Sequence, residues 1–356
     1  MDRLLTFGRQ RRVVGASYAT DRRERVYFDP ALVKLQADLE KALPPGTLVR
    51  FADASDDERR LLVWAGRDDD PGAWYLLNRD TGELATLMVT RPELEGVTLA
   101  KVEAITYRAA DGTMVPAYLT LPASGPRKGL PAIVLPHGGP SARDEWGFDW
   151  LSQVFAAKGY AVIQPNFRGS AGYGEAWLQQ HGFKSWKVAI SDVLDAGRHL
   201  VREGIADPGK LGILGWSYGG CAALQAAATD PSLFKAVVAI APVSDLEMLR
   251  GEWRNFTNSR LTADFIGAGP HVREGWPSEN AARITAPVLL FHGALDRNVS
   301  IRRSERMAVR LKAAGRPATL VTWPHLDHHV EDSRARTQLL ADSDAHFRAA
   351  RVRRAD

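Results

Sequence analysis

The sequence predicts an α/β protein with a doubly wound, mostly parallel sheet, preceded by a small antiparallel β-meander. Three observations support this. After residue 100, short apolar runs alternate with helical patterns; before it, alternating runs recur roughly every ten residues between turn signals. One apolar run also stops at Gly215, and a serine between two bulky residues and two more glycines follow it. Strands buried on both faces of a parallel sheet are typically continuous apolar runs. We therefore expect two domains, residues 1–100 and 101–356.

The first hundred residues have the pattern of a β-rich segment with one helix. Turn signals such as "RDDDPG" and "NRDTGE" separate its later strands, which are "TLVRFA", "RLLVWAG", "AWYLLN" and "ELATLMV". A helix is predicted at "PALVKLQADLEKAL", because this run opens with proline, keeps its leucines on one side and stops at "PPG".

From residue 101 a hairpin-like segment leads into strands that alternate with helices. The strands are predicted at "PAIVLPHGG", "AVIQPNFRG", "LGILGW", "AVVAIAPV", "PVLLFHG" and "ATLVTWP". Helical patterns between them include "AISDVLDAGRHLVREG" and "RRSERMAVRLKAAG". Reactive groups on such a sheet gather at the carboxyl ends of the strands.

The stretch "LGILGWSYGG" places Ser217 at one of these strand ends. A Gly-x-Ser-x-Gly pattern between a strand and a helix forms a nucleophile elbow, a strained turn that exposes the serine hydroxyl. Gly215 and Gly219 are expected where a side chain would collide with the closely packed strand or helix. Cys221, the only cysteine, follows within the helix and is expected to be a buried packing residue.

A serine nucleophile needs a histidine base that is oriented by a carboxylate. Asp296 in "ALDRNVS" follows the strand "PVLLFHG", 79 residues after Ser217, which is the chain order expected for this kind of sheet. The aspartate could also cap the helix that follows, and the two roles do not exclude each other.

Three histidines in "HLDHHVED", after the next strand, compete for the role of base. We choose His328, with His329 second and His325 third. Adjacent histidines on a loop also suggest a metal, but neither CxxC nor HExxH spacing accompanies them, so we predict no metal site.

Two backbone N–H groups are expected to bind the oxyanion of a tetrahedral intermediate. One is the N–H of Tyr218, directly after the serine. The other belongs to Gly139, or less favourably Gly138, in "LPHGGP", where glycines allow the backbone to approach a substrate closely.

Candidates for a substrate pocket come from an aromatic- and arginine-rich segment, residues 250–276, between the serine and aspartate loops. They are Trp253, Phe256, Phe265 and Trp276, although a packed helical insertion explains these residues equally well. Arg168 in "NFRGS" is a further candidate that either contacts the substrate or ties its loop to the sheet.

Composition restricts the other classes of function. The chain is 45% hydrophobic and 25% charged, with a net charge of +4, and its basic ends lack interleaved aromatics, so nucleic acid is not expected as a partner. No apolar stretch approaches the ~20 residues of a membrane helix, and the N-terminus lacks a signal-peptide core. A single cysteine excludes an intrachain disulfide. We therefore predict a cytoplasmic protein without membrane contact.

No G-x-G-x-x-G follows the first strand of the sheet, so a dinucleotide-binding site is not predicted, and we expect no cofactor.

Taken together, "HGGP", "NFRGSAGYG", "GWSYGG", "LLFHGALDRNVS" and "DHH" resemble the catalytic domain of the prolyl oligopeptidase family, in particular its acylaminoacyl-peptidase and dipeptidyl-peptidase-like branches. The resemblance runs from about residue 100 to the end and implies an α/β-hydrolase fold. It also implies Ser217 as nucleophile, the aspartate of a His-Gly-x-x-Asp motif at Asp296, and His328 after Asp327 as base.

Members of this family usually carry a multi-bladed β-propeller before the catalytic domain, whereas residues 1–100 resemble a single blade. A less covered site is expected to favour small esters over peptides, and exposed blade edges are expected to pair in a homo-oligomer. The predicted function is a serine hydrolase that cleaves ester or peptide bonds of small substrates through an acyl-enzyme. The alternatives are a carboxylesterase acting on short-chain or aryl esters and, more remotely, a non-catalytic binding protein on a hydrolase fold.

Overall fold

A computed structural model describes residues 2–178, 181–255, 257 and 259–352. The chain forms two compact units. The first comprises Met1–Glu103 with Glu145–Gln153, and the second Ala104–Asp144 with Val154–Asp356.

The described residues of the first unit form two antiparallel sheets and a helix. The three-stranded sheet contains β1 (Arg3–Phe7), β2 (Arg12–Ala19) and β3 (Arg23–Tyr27). After α1 (Pro30–Ala42) the second sheet contains, in sequential order, β4 (Leu48–Ala54), β5 (Arg60–Arg67), β6 (Asp70–Asn78) and β7 (Leu84–Val89). A 3₁₀ turn follows at Pro92–Leu94. The four-stranded sheet confirms the predicted antiparallel β-meander.

Helix α1 illustrates how the core of the first unit is built. Asp29 caps it by accepting the N–H of Ala31 at 2.8 Å, and Pro30 occupies the first turn, where an N–H has no intrahelical acceptor. Its apolar side then packs into a cluster of buried side chains: Phe7, Val14, Tyr27, Leu32, Leu39, Val49, Phe51, Leu61, Val63 and Leu77.

The chain continues through alternating strands and helices. In order these are β8 (Val102–Arg108), β9 (Met114–Thr120), β10 (Leu130–Val134), α2 (Trp150–Ala157), β11 (Ala161–Pro165), α3 (Glu175–Leu178), α4 (His181–Lys184), α5 (Trp186–Arg202), β12 (Ala206–Trp216) and α6 (Tyr218–Thr229). Then come β13 (Val237–Ile240), α7 (Leu246–Glu252), α8 (Ser259–Ile266), α9 (His271–Glu274), α10 (Pro277–Asn280), β14 (Val288–Gly293), α11 (Arg302–Ala313), β15 (Ala318–Trp323) and α12 (Ser333–Val352). Short 3₁₀ segments lie at Trp253–Asn255 and Ala281–Arg283.

Eight of these strands form one sheet in the order β15-β14-β13-β12-β10-β11-β9-β8. β11 pairs antiparallel with β9, while β10 pairs parallel with β11 and β12, and parallel pairing continues through β13 and β14 to β15. This is the doubly wound, mostly parallel sheet that the sequence predicts. It brings the carboxyl ends of β12, β14 and β15 to one edge of the sheet.

Three inner strands of the sheet are mostly apolar because both of their faces are buried. All residues of β11, β13 and β14 are buried, so they lack the alternation of a strand with one wet face. Within the described ranges, no helix combines the length and apolar character needed to cross a membrane.

Candidate active site

Ser217 occupies the turn between β12 and α6 with φ 60° and ψ −119°, a conformation that L-residues rarely adopt. Two neighbouring segments hold it there. The Ser217 N–H donates to the carbonyl of Ile240 at 2.8 Å, and its carbonyl accepts the N–H of Cys221 at 3.1 Å and of Val243 at 3.3 Å. The surrounding backbone thus fixes the strained residue.

The glycines around Ser217 are required by backbone that passes too close for a side chain. A Cβ on Gly215 would stand 2.1 Å from the carbonyl oxygen of Gly219. One on Gly219 would stand 2.1 Å from the carbonyl oxygen of Pro136. The Gly-x-Ser-x-Gly pattern therefore reflects close packing of β12, α6 and the loop after β10.

Asp296 lies on the loop between β14 and α11, with its side chain inaccessible to solvent. Its Oδ1 accepts the backbone N–H groups of Asn298 and Val299, each at 2.8 Å. Its Oδ2 lies 2.6 Å from Nδ1 of His328. Burial alone would raise the pKa of Asp296, but the bonds from His292, His328 and Val299 outweigh it and hold this pKa well below its usual range.

An ionised Asp296 determines the tautomer of its partner. A carboxylate only accepts hydrogen bonds, so Nδ1 of His328 carries a proton and a neutral ring has its lone pair on Nε2. That nitrogen can then act as a base.

Hydrogen bonds and close backbone packing tie the histidine loop to the other two loops. Trp216, directly before Ser217, donates its Nε1–H to the carbonyl of His328 at 3.0 Å. Leu295 donates its N–H to Leu326 at 2.9 Å. A Cβ on Gly293 would stand 2.3 Å from the same Leu326 carbonyl. The structure thus gathers the three loops at one edge of the sheet.

The competing histidines are placed differently. His328 is 9% exposed, whereas His325 and His329 are exposed on the same loop. The ring of His329 stands edge-on to His328 with centroids 5.6 Å apart. Of the three, His328 is the one that the structure pairs with Asp296.

The glycine loop after β10 passes beside Ser217, as an oxyanion site requires. A Cβ on Gly138 would stand 3.6 Å from Cβ of Ser217 and 3.2 Å from the carbonyl oxygen of Trp216. Gly139 has φ 48°, in the left-handed region that favours glycine. Tyr218 is the first residue of α6, so its N–H lies at the helix end that attracts negative charge.

His137, which precedes these glycines, is a residue that sequence reasoning did not select. Its ring nitrogens lie 2.9 Å from the Gly138 carbonyl oxygen and 2.7 Å from Ser170 Oγ, and the ring stacks on Phe167 at 4.3 Å. Burial lowers the pKa of His137 to about 4, so it is neutral at physiological pH. The "HGGP" motif carried the signal, although we used only its glycines.

Two of the candidate pocket residues belong to an aromatic cluster beside Ser217. The rings of Tyr218, Phe265 and Trp276 each lie 5.4–5.6 Å from Phe183. Phe265 is partly exposed, but Trp276 is 1% exposed and packs in the core. For Trp276 this burial favours the packed helical insertion over a pocket-lining role.

Of the two roles considered for Arg168, its contacts favour the structural one. Its Nε and Nη2 donate to the two oxygens of Asp192 at 2.9 and 2.6 Å, and its Nη1 donates to Asp111 at 2.5 Å and to Thr113 at 3.2 Å. A guanidinium engaged in this way ties its loop to the sheet and is not available for a substrate.

Trp253 is partly buried and packs against the core of the second unit. Phe256, the remaining pocket candidate, lies outside the described residues.

The fold defines an α/β hydrolase. A family model for the prolyl oligopeptidase family matches residues 146–351, and the chain belongs to that family. It is 31% identical to dipeptidyl aminopeptidase BIII of Pseudoxanthomonas mexicana, over 88% of this chain and 47% of that protein. It is 25% identical to the acylamino-acid-releasing enzyme of Sus scrofa, over 61% of this chain and 31% of that one.

Solved structures show the same fold. A puromycin-hydrolyzing peptidase of Mycobacterium tuberculosis superposes with a TM-score of 0.75 at 28% identity, over 85% of this chain and 46% of that one. An acylaminoacyl peptidase of Pyrococcus horikoshii gives a TM-score of 0.71 at 22% identity. The chain spans about half the length of the first relatives that it matches.

Proposed function

We propose that this protein is a serine peptidase in which Ser217, His328 and Asp296 form the catalytic triad. The 2.6 Å hydrogen bond between Asp296 and His328 carries the proposal, because it joins the aspartate loop to the histidine loop. The hydrogen bond from Trp216 in turn ties the histidine loop to the turn that holds Ser217. Family membership supports the same reaction class.

In the proposed mechanism, Ser217 Oγ attacks the substrate carbonyl carbon while His328 Nε2 takes its proton. The carbonyl oxygen becomes an oxyanion, held by the N–H groups of Tyr218 and Gly139, with Gly138 as the alternative donor. His328 then gives the proton to the leaving amine and the C–N bond breaks. Water, deprotonated by His328, releases the acyl group and restores Ser217.

For the substrate we propose short peptides cleaved at an amide bond near their N-terminus. The relatives' names describe a dipeptidyl aminopeptidase, an acylamino-acid-releasing enzyme and a puromycin-hydrolyzing peptidase. Phe265 and Trp253, in the segment between β13 and β14, are partly exposed apolar side chains that pack against the core of the second unit. These side chains favour an apolar residue on the acyl side of the bond.

The test is hydrolysis of aminoacyl, dipeptidyl and acetyl-aminoacyl p-nitroanilides, with p-nitrophenyl butyrate as an ester comparison. We expect Ser217→Ala and His328→Ala each to lower kcat/KM by about 10⁴-fold or more. His329→Ala is the matched control and should stay within about twofold of wild type, because its ring does not contact the carboxylate.

Turnover of the ester with inert anilides would assign the protein to the carboxylesterases instead. An active Ser217→Ala variant would overturn the triad.

We also propose that the protein works in the cytoplasm and associates with itself. Its lone cysteine, Cys221, is buried and free, which is compatible with a reducing compartment. β7 is an edge strand of its sheet and exposes Leu87 and Met88 at 55% and 59%. Apolar edge strands of this kind pair readily with other chains.

A further inference from the structure

A second histidine, His292, contacts the carboxylate of Asp296. His292 is the first residue of the His-Gly-x-x-Asp motif, stands near the end of β14 and is 0% exposed. Its Nε2 lies 3.2 Å from Asp296 Oδ2, the same oxygen that lies 2.6 Å from Nδ1 of His328. The carboxylate therefore stands between two imidazole rings.

The surroundings of His292 determine where its proton lies. Its Nε2 faces two oxygens, the carbonyl of Val299 at 2.8 Å and Asp296 Oδ2 at 3.2 Å. Neither oxygen can donate, so Nε2 carries a proton and shares it between them. Its Nδ1 lies 2.7 Å from Oγ of Ser304 on α11, so both ring nitrogens are engaged.

These contacts close a ring around the aspartate. Val299 donates its N–H to Asp296 Oδ1 and accepts the Nε2–H of His292 with its carbonyl. The carboxylate is thereby fixed at both oxygens, and one direction on Oδ2 is left for His328. A carboxylate free to rotate would hold His328 in several orientations.

The other charged groups around the aspartate come from α11 and α7. Arg303 of α11 is fully buried, pairs with Glu252 of α7 and interacts electrostatically with Asp296. It makes no hydrogen bond to Asp296 among the described residues. Within the part of the chain that the structure describes, the direct contacts of the carboxylate side chain are thus the two histidines and the N–H groups of Asn298 and Val299.

We infer that His292 is a positioning residue of this site, which orients Asp296 through Nε2–H and so sets the geometry of His328. The inference rests on the proposed function. It gives the first residue of the His-Gly-x-x-Asp motif a positioning role that acts through Asp296, without contact with the substrate.

The test compares two replacements of His292, each of which can reproduce the hydrogen bond of only one imidazole nitrogen. His292→Gln can place an amide N–H near the position of Nε2–H, whereas His292→Asn can reach only the Ser304 side. We expect His292→Gln to keep kcat/KM within about threefold of wild type. His292→Asn should lose about 10- to 100-fold in kcat/KM, which is the loss usually found when a residue that orients a metal-ligating side chain is removed. Thermal unfolding of each variant verifies that it is folded.

A merely structural role is excluded by repeating the change without the carboxylate. In an Asp296→Asn background, His292→Asn should cost less than about threefold, because the group through which His292 acts has gone. An equal loss in both backgrounds, or a fully active His292→Asn, would overturn the inference. If His292→Asn does not fold, Ser304→Ala replaces it, with an expected loss of about 3- to 10-fold that must likewise vanish in the Asp296→Asn background.

Wild type and Ser217→Ala are measured on the same substrates. An inactive wild type, or an active Ser217→Ala variant, contradicts the proposed function. A normal wild type with an unaffected His292→Asn variant contradicts only the role of His292.

Discussion

Ser217 holds a backbone conformation that glycine would adopt without strain. At φ 60° and ψ −119° a Cβ costs on the order of 1–3 kcal/mol. We expect the free energy of unfolding of Ser217→Gly to be about 1 kcal/mol higher than that of Ser217→Ala, because only glycine relieves the backbone strain. The larger conformational entropy of glycine in the unfolded chain offsets part of this gain.

Urea denaturation of the two variants checks this prediction. Both lack the hydroxyl and should be inactive, so stability and activity separate at one position. Equal stabilities would mean that the turn relaxes around a Cβ.

His137 makes stability depend on pH. Folded His137 stays neutral down to a pKa of about 4, whereas an unfolded histidine takes a proton near pH 6.5. Between these values the unfolded chain binds more protons, so stability falls as pH falls through this window. From pH 7 to 4.5 the contribution of His137 should fall by about 2–3 kcal/mol.

His137→Asn is the variant for this measurement, because asparagine does not titrate. The free energy of unfolding should decline less steeply with acid in the variant than in wild type, by that amount. Parallel curves would show that His137 takes up its proton at the same pH in the folded and the unfolded chain, which would contradict the prediction.

Single residues were predictable where a motif names them. Ser217 and Asp296 follow strand ends within recognisable patterns. The contact between His292 and Asp296 was not predictable, because it depends on how β14 and its loop fold back through Val299. Arg168 likewise shows its role only once Asp192 and Asp111 are placed beside it.

Among the secondary structure elements, α6 depends on a glycine that alanine cannot replace. A Cβ on Gly219 would stand 2.1 Å from the carbonyl oxygen of Pro136, and both groups are backbone. Gly219→Ala should therefore destabilise the fold by about 3 kcal/mol or more and reduce activity, because α6 or the oxyanion loop must move.

Gly251 in α7 is the matched control. It is exposed and a Cβ there meets nothing within 4 Å, so Gly251→Ala gains the same helix propensity without a clash. Its stability should equal wild type or exceed it by up to about 1 kcal/mol. Chemical denaturation of the pair isolates the steric term.

The parallel strands were predictable because burial on both faces gives continuous apolar runs. The length of β12 could not be predicted from the sequence. It begins at Ala206, five residues before the predicted run, through "ADPGK", whose residues favour turns. Asp207 accepts the N–H of Gly209 at 2.8 Å, so a local turn contact coexists with strand geometry. The division of the strands before residue 100 into two sheets was also missed, since alternation does not reveal which strands pair.

At the scale of the whole molecule, self-association through β7 can be tested with one charge. Met88→Lys places an ammonium on the exposed edge strand and should shift an oligomer towards monomer, because lysine blunts edge pairing. Light scattering after size-exclusion chromatography measures the mass.

Val33→Lys is the control, since Val33 is 51% exposed on α1 and lies on no strand edge. We expect its mass to match wild type. A wild type that is already monomeric at high concentration would contradict association, and a change with Val33→Lys alone would place the interface elsewhere.

Cys221 lies four residues after the serine, 3% exposed, and burial raises the pKa of its thiol well above its ordinary value. Alkylating agents act on thiolates, so the folded protein should be inert to them. As this is the only cysteine in the chain, one introduced at an exposed position would be the sole site that takes a maleimide dye. The native sequence is thus ready for site-specific fluorophores, without prior removal of cysteines.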